Sequence, residues 1–270
     1  MEFSAARPSL SPDAGDFASL LRERGLYPQV AHASAMAAGA ATPGVQTQAT
    51  TICAFKFAGG VLVAGDRRAT AGNVVVYDRA DKVLEIDSHS LMAIAGVPAT
   101  AWEMARVLEH SFQFYRRSQL QEMSLEGKVR ALSKLLRDNL SFVLQGVGVV
   151  VPIFAAYDDV AEVARLYFYD AMGAQFEAAD FAATGSGSPA VRSVLYYENT
   201  WGSKPLTKRR ESEAIVLALR ALDTAAENDT ATGGVDRRGK VYPIIKIISK
   251  AGIRTLAEKD LARIFKREVP

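Results

Sequence analysis

The apolar positions of this chain repeat with two different periods, and the changes of period mark its elements. Residues 51–57 (Thr-Ile-Cys-Ala-Phe-Lys-Phe) have strand character, Gly59-Gly60 reads as a tight turn, and residues 61–65 form the returning strand. A third strand is expected over 82–87 and a fourth over 91–95, with Gly96 closing it. The period then shifts to that of a helix. Residues 99–115 set Trp102, Ala105, Leu108 and Phe112 on one face, and residues 125–144 do the same with Val129, Leu132, Leu136, Leu140 and Val143. Strands return at 152–157, 164–170 and 179–184, followed by helices over 189–198 and 210–227. Two strands, 241–249 and a short piece near Ile253, precede a last helix from Glu258.

Strands grouped by hairpins imply antiparallel sheets. Helices in pairs argue against the alternating units of a parallel sheet. The expected class is therefore α+β: two stacked antiparallel sheets, each covered by a helix pair, giving a four-layer αββα sandwich over residues 50–270.

The first 49 residues do not share this patterning. They are rich in Ala, Ser, Pro, Gly and Thr, and 33–44 is of low complexity, with little large apolar surface to offset ordering entropy. Only 17–24 has the look of a short helix. The segment is either a disordered tail or a removable pro-segment, and the residues after it choose between these.

Composition narrows the function classes. The formal net charge of +2 gives no reason to expect a nucleic-acid partner. The basic run Lys208-Arg209-Arg210 reads as a solvated helix start. One cysteine, Cys53, cannot form an intrachain disulfide. His32, His89 and His110 lie far apart and lack metal-ligand spacing, and none has the neighbourhood of a Ser-His-Asp triad; His110 belongs on a helix surface. No apolar run approaches the ~20 residues of a membrane span, and the amino terminus lacks the pattern of a secretory signal. A cytoplasmic location is expected.

Six short patterns carry possible chemistry. At Thr50-Thr51-Ile52, a threonine made amino-terminal would combine a hydroxyl nucleophile with an α-amine of pKa ~7.7–8.0, close to what a general base needs. Alone, Thr-Thr at a strand start is ordinary. Gly65-Asp66-Arg67-Arg68-Ala69-Thr70 puts a carboxylate at a strand end, which by itself could be a surface ion pair. Lys82, in Arg79-Ala80-Asp81-Lys82-Val83, would lower the pKa of a nearby amine. Ala95-Gly96 ends a buried strand where a backbone N–H could meet an oxyanion. Thr184-Gly185-Ser186-Gly187-Ser188 is a glycine-rich turn without the lysine of a phosphate loop. Asp229-Thr230-Ala231-Thr232-Gly233-Gly234 is a polar turn that could be only a helix stop.

Together and in this order, these patterns resemble the β-subunit family of the 20S proteasome, from Thr50 through nearly all of the rest of the chain. Gly-Asp-Arg-Arg and the long leading segment most resemble the actinobacterial type. The resemblance implies the N-terminal-nucleophile hydrolase fold, a four-layer αββα sandwich, with residues 1–49 as a propeptide removed between Ala49 and Thr50. It implies Thr50 as nucleophile and base, Asp66 and Lys82 holding and polarising it, and Ser186, Asp229 and Thr232 as an outer network. Gly96 N–H would be the oxyanion donor, and Thr70 and Gly96 backbone groups would pair with substrate as an added strand. Ala69, Ala80, Leu84, Ile94 and Pro98 would line the specificity pocket, favouring cleavage after apolar residues.

The sequence departs from the family at two points. Ala49 stands where the family usually has glycine, which puts a Cβ into the self-cleavage turn. Thr232 replaces the commoner serine but keeps the hydroxyl. The resemblance also implies α-subunit and β-subunit partners in an α7β7β7α7 core and a ring ATPase acting through the α-ring. No metal or cofactor is required. Two rival readings are the smaller bacterial ATP-dependent protease subunit of the same fold and a catalytically silent ring scaffold.

Overall fold

The structure, a computed structural model, describes residues 50–71, 74–236 and 239–269. The expected pro-segment, its short helix at 17–24, His32 and Ala49 lie outside the described residues.

Two five-stranded antiparallel sheets carry the fold. The first has the order β10-β1-β2-β11-β12, built from Phe181–Gly185, Thr51–Phe57, Gly60–Gly65, Ile244–Ser249 and Gly252–Thr255. The second has the order β5-β6-β7-β8-β9, built from Val83–Asp87, Ser90–Ala93, Ile153–Asp158, Val163–Tyr169 and Gln175–Glu177. Successive side chains of a strand face opposite ways. In β1, Ile52 and Ala54 therefore enter the layer between the sheets, while Cys53, Phe55 and Phe57 face the helices outside. Both faces of β1 are covered, which is why its sequence is nearly continuous in apolar residues.

Three apolar layers follow. The outer side of the first sheet packs on α4 (Ser188–Thr200), α5 (Glu211–Asn228) and α6 (Glu258–Glu268), and Val191, Leu195, Leu219 and Leu222 fill that layer. The middle layer holds Val61, Val63, Val83, Leu91 and Ile153. The outer side of the second sheet packs on α1 (Pro98–Gln119) and α2 (Leu125–Asp138) through Leu108, Phe112, Leu132 and Leu136. The four-layer expectation is met. Proline in the first turn of α1 removes one N–H that would lack an intrahelical partner, and Ser124 caps α2 by accepting from Gly127 N–H at 3.2 Å.

Three local expectations need correction, and one element is added. The helix expected over 125–144 is two, α2 and the short α3 (Leu140–Leu144), because Asn139 turns its amide to the Gly148 carbonyl at 2.6 Å and caps α2. Trp102 is 45% exposed and does not share the buried face of Ala105, Leu108 and Phe112. Arg209 is not a solvated residue: it is buried, its guanidinium 2.5 Å from Glu198 and its carbonyl accepting from Ala58 N–H at the β1–β2 turn. The chain between β2 and β5 forms a separate hairpin, β3 (Ala69–Ala71) with β4 (Val74–Tyr77). Val74-Val75-Val76-Tyr77 is apolar on both faces and exposed, so it carries neither period.

Candidate active site

The site forms where β1 begins and β2 ends. The antiparallel register sets Ile52 opposite Gly65, which places Thr51 against Asp66. Thr51 N–H donates to Asp66 Oδ1 at 2.8 Å, and Asp66 N–H donates to the Thr51 carbonyl at 3.0 Å. Asp66 is wholly inaccessible. Its Oδ1 also accepts from Lys82 Nζ at 2.7 Å, and its Oδ2 accepts from Arg68 N–H and Gly233 N–H, each at 2.9 Å. Four donors converge on one buried carboxylate, which meets the requirement that a buried charge be hydrogen-bonded.

Lys82 is buried and gives a second proton to the Arg68 carbonyl at 2.5 Å. Burial, aided by the nearby Arg68 cation, holds its ammonium pKa below the usual lysine value against the opposing pull of Asp66 and Asp229. The buried position that fixes this lysine thus also makes it easier to deprotonate.

A second group of polar side chains lies beside the first. Gly187 N–H donates to Thr51 Oγ1 at 2.9 Å, and Thr51 Oγ1 lies 2.6 Å from Thr232 Oγ1. Thr232 Oγ1 donates to Asp229 Oδ2 at 2.6 Å, and Ser186 Oγ donates to the same oxygen at 2.5 Å. A hydroxyl has one proton. Thr232 commits its proton to Asp229, so the proton between the two threonines belongs to Thr51. The chain therefore has one direction: Gly187 N–H, Thr51 O–H, Thr232 O–H, Asp229. Burial pushes the Asp229 carboxyl up, but the Ser186 and Thr232 hydroxyls, the Ala231 N–H and the Arg68 charge outweigh it and hold it below the usual carboxylate value.

Thr50 immediately precedes Thr51, the residue that touches both groups. It is buried, and its carbonyl accepts from Ser186 N–H at 3.0 Å. Gly185, opposite Thr51 in the sheet, has φ +97°, and a Cβ there would lie 1.7 Å from the Thr50 carbonyl oxygen. Only glycine permits the chain to approach Thr50 so closely.

The sequence pattern of the proteasome subunit family matches residues 46–240, spanning this whole arrangement. The chain belongs to the proteasome subunit family. It is similar to proteasome subunit beta 2 of Thermomonospora curvata, with 41% identity over 217 residues, 80% of this chain and 74% of that protein. It is 40% identical over 213 residues to proteasome subunit beta of Jonesia denitrificans, covering 79% and 68% of the two chains. With proteasome subunit beta of Acidothermus cellulolyticus it shares 36% identity over 240 residues, 87% and 79% of the two chains.

Other predicted positions of this proteasome subunit fall as follows. Gly96 follows β6, bridges to Val150 and has φ +116°; a Cβ there would lie 2.1 Å from the Val149 carbonyl oxygen. Thr70 is buried in β3 beside a bulge. Ala80 and Ile94 are buried, Ile94 in the core beneath α1 and α2, whereas Ala69, Leu84 and Pro98 are partly exposed. Leu84 lines a cavity of about 400 Å³ together with Trp102. Asp81, Glu85, Glu103, Arg106, Glu109 and Lys246 put charge into its lining, a feature absent from the apolar set that the sequence suggested.

Sequence reasoning missed the Thr51 hydroxyl and the N–H groups of Arg68, Gly187 and Gly233 as members of the site. Their motifs are legible in the sequence, but a backbone donor leaves no residue-type signal. Among the described residues no His, Cys, Asp or Glu cluster could hold a metal ion, and no helix is long and apolar enough to cross a membrane. His110 is exposed on α1, and Cys53 is buried, its thiol pushed up to about 12 by burial.

Proposed function

We propose that this chain is a catalytic β-subunit of a 20S proteasome, a threonine-type endopeptidase activated by scission between Ala49 and Thr50, with residues 1–49 as its propeptide. The observation that carries this reading is the fourfold satisfaction of Asp66 against Thr51, the residue that follows Thr50, with Lys82 on one of its oxygens. Such a cluster is costly to bury and has no structural need to sit at a strand start.

Scission frees the Thr50 α-amine. The amine takes the proton of the Thr50 hydroxyl as its oxygen attacks the substrate carbonyl. The Gly96 N–H meets the developing oxyanion. The peptide C–N bond then breaks, the amine returns its proton to the leaving nitrogen, and water hydrolyses the resulting ester. Asp66 and Lys82 set the field around Thr50, and Ser186, Asp229 and Thr232 anchor its amine from the other side. The Thr70 and Gly96 backbones bind substrate as an added strand. We further propose that Ala69, Ala80, Leu84, Ile94 and Pro98 favour apolar residues before the cut. The subunit works in the cytoplasm, in a core with α-subunits and other β-subunits, fed by a ring ATPase.

Intact mass and fluorogenic-peptide assays of Thr50→Ala test the reading. Loss of both processing and peptidase activity is expected. Retained activity contradicts it, and a wild-type particle that keeps its full chain without activity favours a silent scaffold.

A further inference from the structure

A second buried lysine stands behind the first. Lys246 occupies the middle of β11 and faces the layer between the sheets, in the row of Ile244 and Ile248 and opposite Val63. It is 6% exposed. Its ammonium leaves this apolar row at the margin of β5, 3.4 Å from Asp81 Oδ2 and 3.1 Å from Glu85 Oε1. Asp81 immediately precedes Lys82. Its Oδ1 accepts from Val83 N–H at 2.9 Å, so the Asp81 side chain brackets Lys82. Lys82 in turn reaches Asp66 and the Arg68 carbonyl.

As a stabilising contact this arrangement is poor. The lysine stem is buried beside aliphatic side chains, whereas the carboxylates its ammonium meets are 45% and 51% exposed and are solvated with or without it. An aliphatic side chain in the same row would pack on Val63, Ile244 and Ile248. The charge at this place serves something other than stability, and the group it holds is the turn that delivers Lys82. We infer that Lys246 is a positioning residue for the peptidase site: through Asp81 it fixes the chain that presents Lys82 to Asp66. The inference rests on the reading of Lys82 given above.

The test uses the processed, assembled particle and compares Lys246→Met, Lys246→Arg, Asp81→Asn and the Lys246→Met/Asp81→Asn double variant. Because small misplacements of catalytic groups cost up to about 100-fold in rate, Lys246→Met is expected to lower kcat about tenfold or more. KM should stay within about twofold, and the melting temperature should be unchanged or higher. Lys246→Arg should recover part of the loss. Asp81→Asn should lower kcat in the same way, and the double variant should be no slower than Lys246→Met alone. Wild-type kcat in Lys246→Met, failure of that variant to fold, or losses that multiply in the double variant would overturn the inference. Lys82→Ala is the control for the underlying reading. If it remains fully active, that reading fails; if it is inactive while Lys246→Met is fully active, only the present inference fails.

Discussion

Two lysine–aspartate pairs in this molecule have the same 2.7 Å separation and opposite characters. Lys82 and Asp66 lie at the start of β1. Lys128 of α2 and Asp87 of β5 lie at the outer face of the second sheet, with the Lys128 ammonium 5.7 Å from the centre of the Phe112 ring. Asp66 receives three backbone N–H groups besides its lysine. The lysine is left in an environment that disfavours its charge, with its pKa lowered chiefly by burial. At the other pair, burial pushes Asp87 up, but Lys128 and the His89 N–H outweigh it and hold the carboxyl below its usual value. One pair clamps a helix to a sheet. The other buries its lysine at the start of β1, beside Thr51. Distance alone does not distinguish them; the remaining partners of the carboxylate do.

The largest expected effect comes from Asp66→Asn. An amide there would turn an N–H₂ toward backbone donors, so peptidase activity should fall more than about 1000-fold, and the melting temperature should fall too. Peptide turnover and thermal melting of the assembled particle measure both. A kcat within tenfold of wild type would remove the distinction between the pairs.

Lys82→Met should cost about as much activity but little stability. Because the folded pKa of Lys82 lies below its ordinary 10.5, its buried charge opposes folding below that folded value. The opposition fades as pH rises toward 10.5. The stability of wild type relative to Lys82→Met should therefore rise with pH, and melts across neutral to alkaline pH check the sign.

Asp87→Asn should do the reverse, lowering stability by about 3 kcal/mol because it strands a buried ammonium, while leaving kcat within about twofold. The Asp87 contribution is complete above its ordinary 3.8 and is lost as pH falls through its lower folded value. The difference between wild type and Asp87→Asn should therefore vanish in acid.

The smallest effect is expected from Thr51→Val, which keeps the shape but leaves Gly187 N–H without an acceptor. A kcat loss of about tenfold, repaired by Thr51→Ser, fits the one-way hydrogen-bond chain. Equal kcat in all three would contradict it.

Much of this site could be read in the sequence because its residues have chemical identities that are scarce in their contexts. Asp66 directly follows a buried strand, Lys82 directly precedes one, and Ser186 and Asp229 sit in small-residue turns. The amphipathic helices and the β1–β2 hairpin were equally plain, since each repeats its period for several turns or residues. What stayed hidden is long-range or silent in residue type. The Thr51 and Thr232 hydroxyls meet across 181 positions, and Gly233 reaches Asp66 across 167. No local pattern encodes such pairings. The β3–β4 hairpin escaped because Val74–Tyr77 exposes an unbroken apolar run. The break at Asn139 escaped because the apolar period runs through it, and only a tertiary hydrogen bond to Gly148 ends the helix. The buried state of Arg209 depends on Glu198, which sequence gives no reason to pair with it.

The most direct measurement determines the amino-terminal residue of the subunits that turn over peptide, by mass spectrometry of active, affinity-purified particles. The account predicts chains that begin at Thr50, with activity proportional to their fraction. Full peptide turnover by particles whose Ala49–Thr50 bond is intact would contradict it.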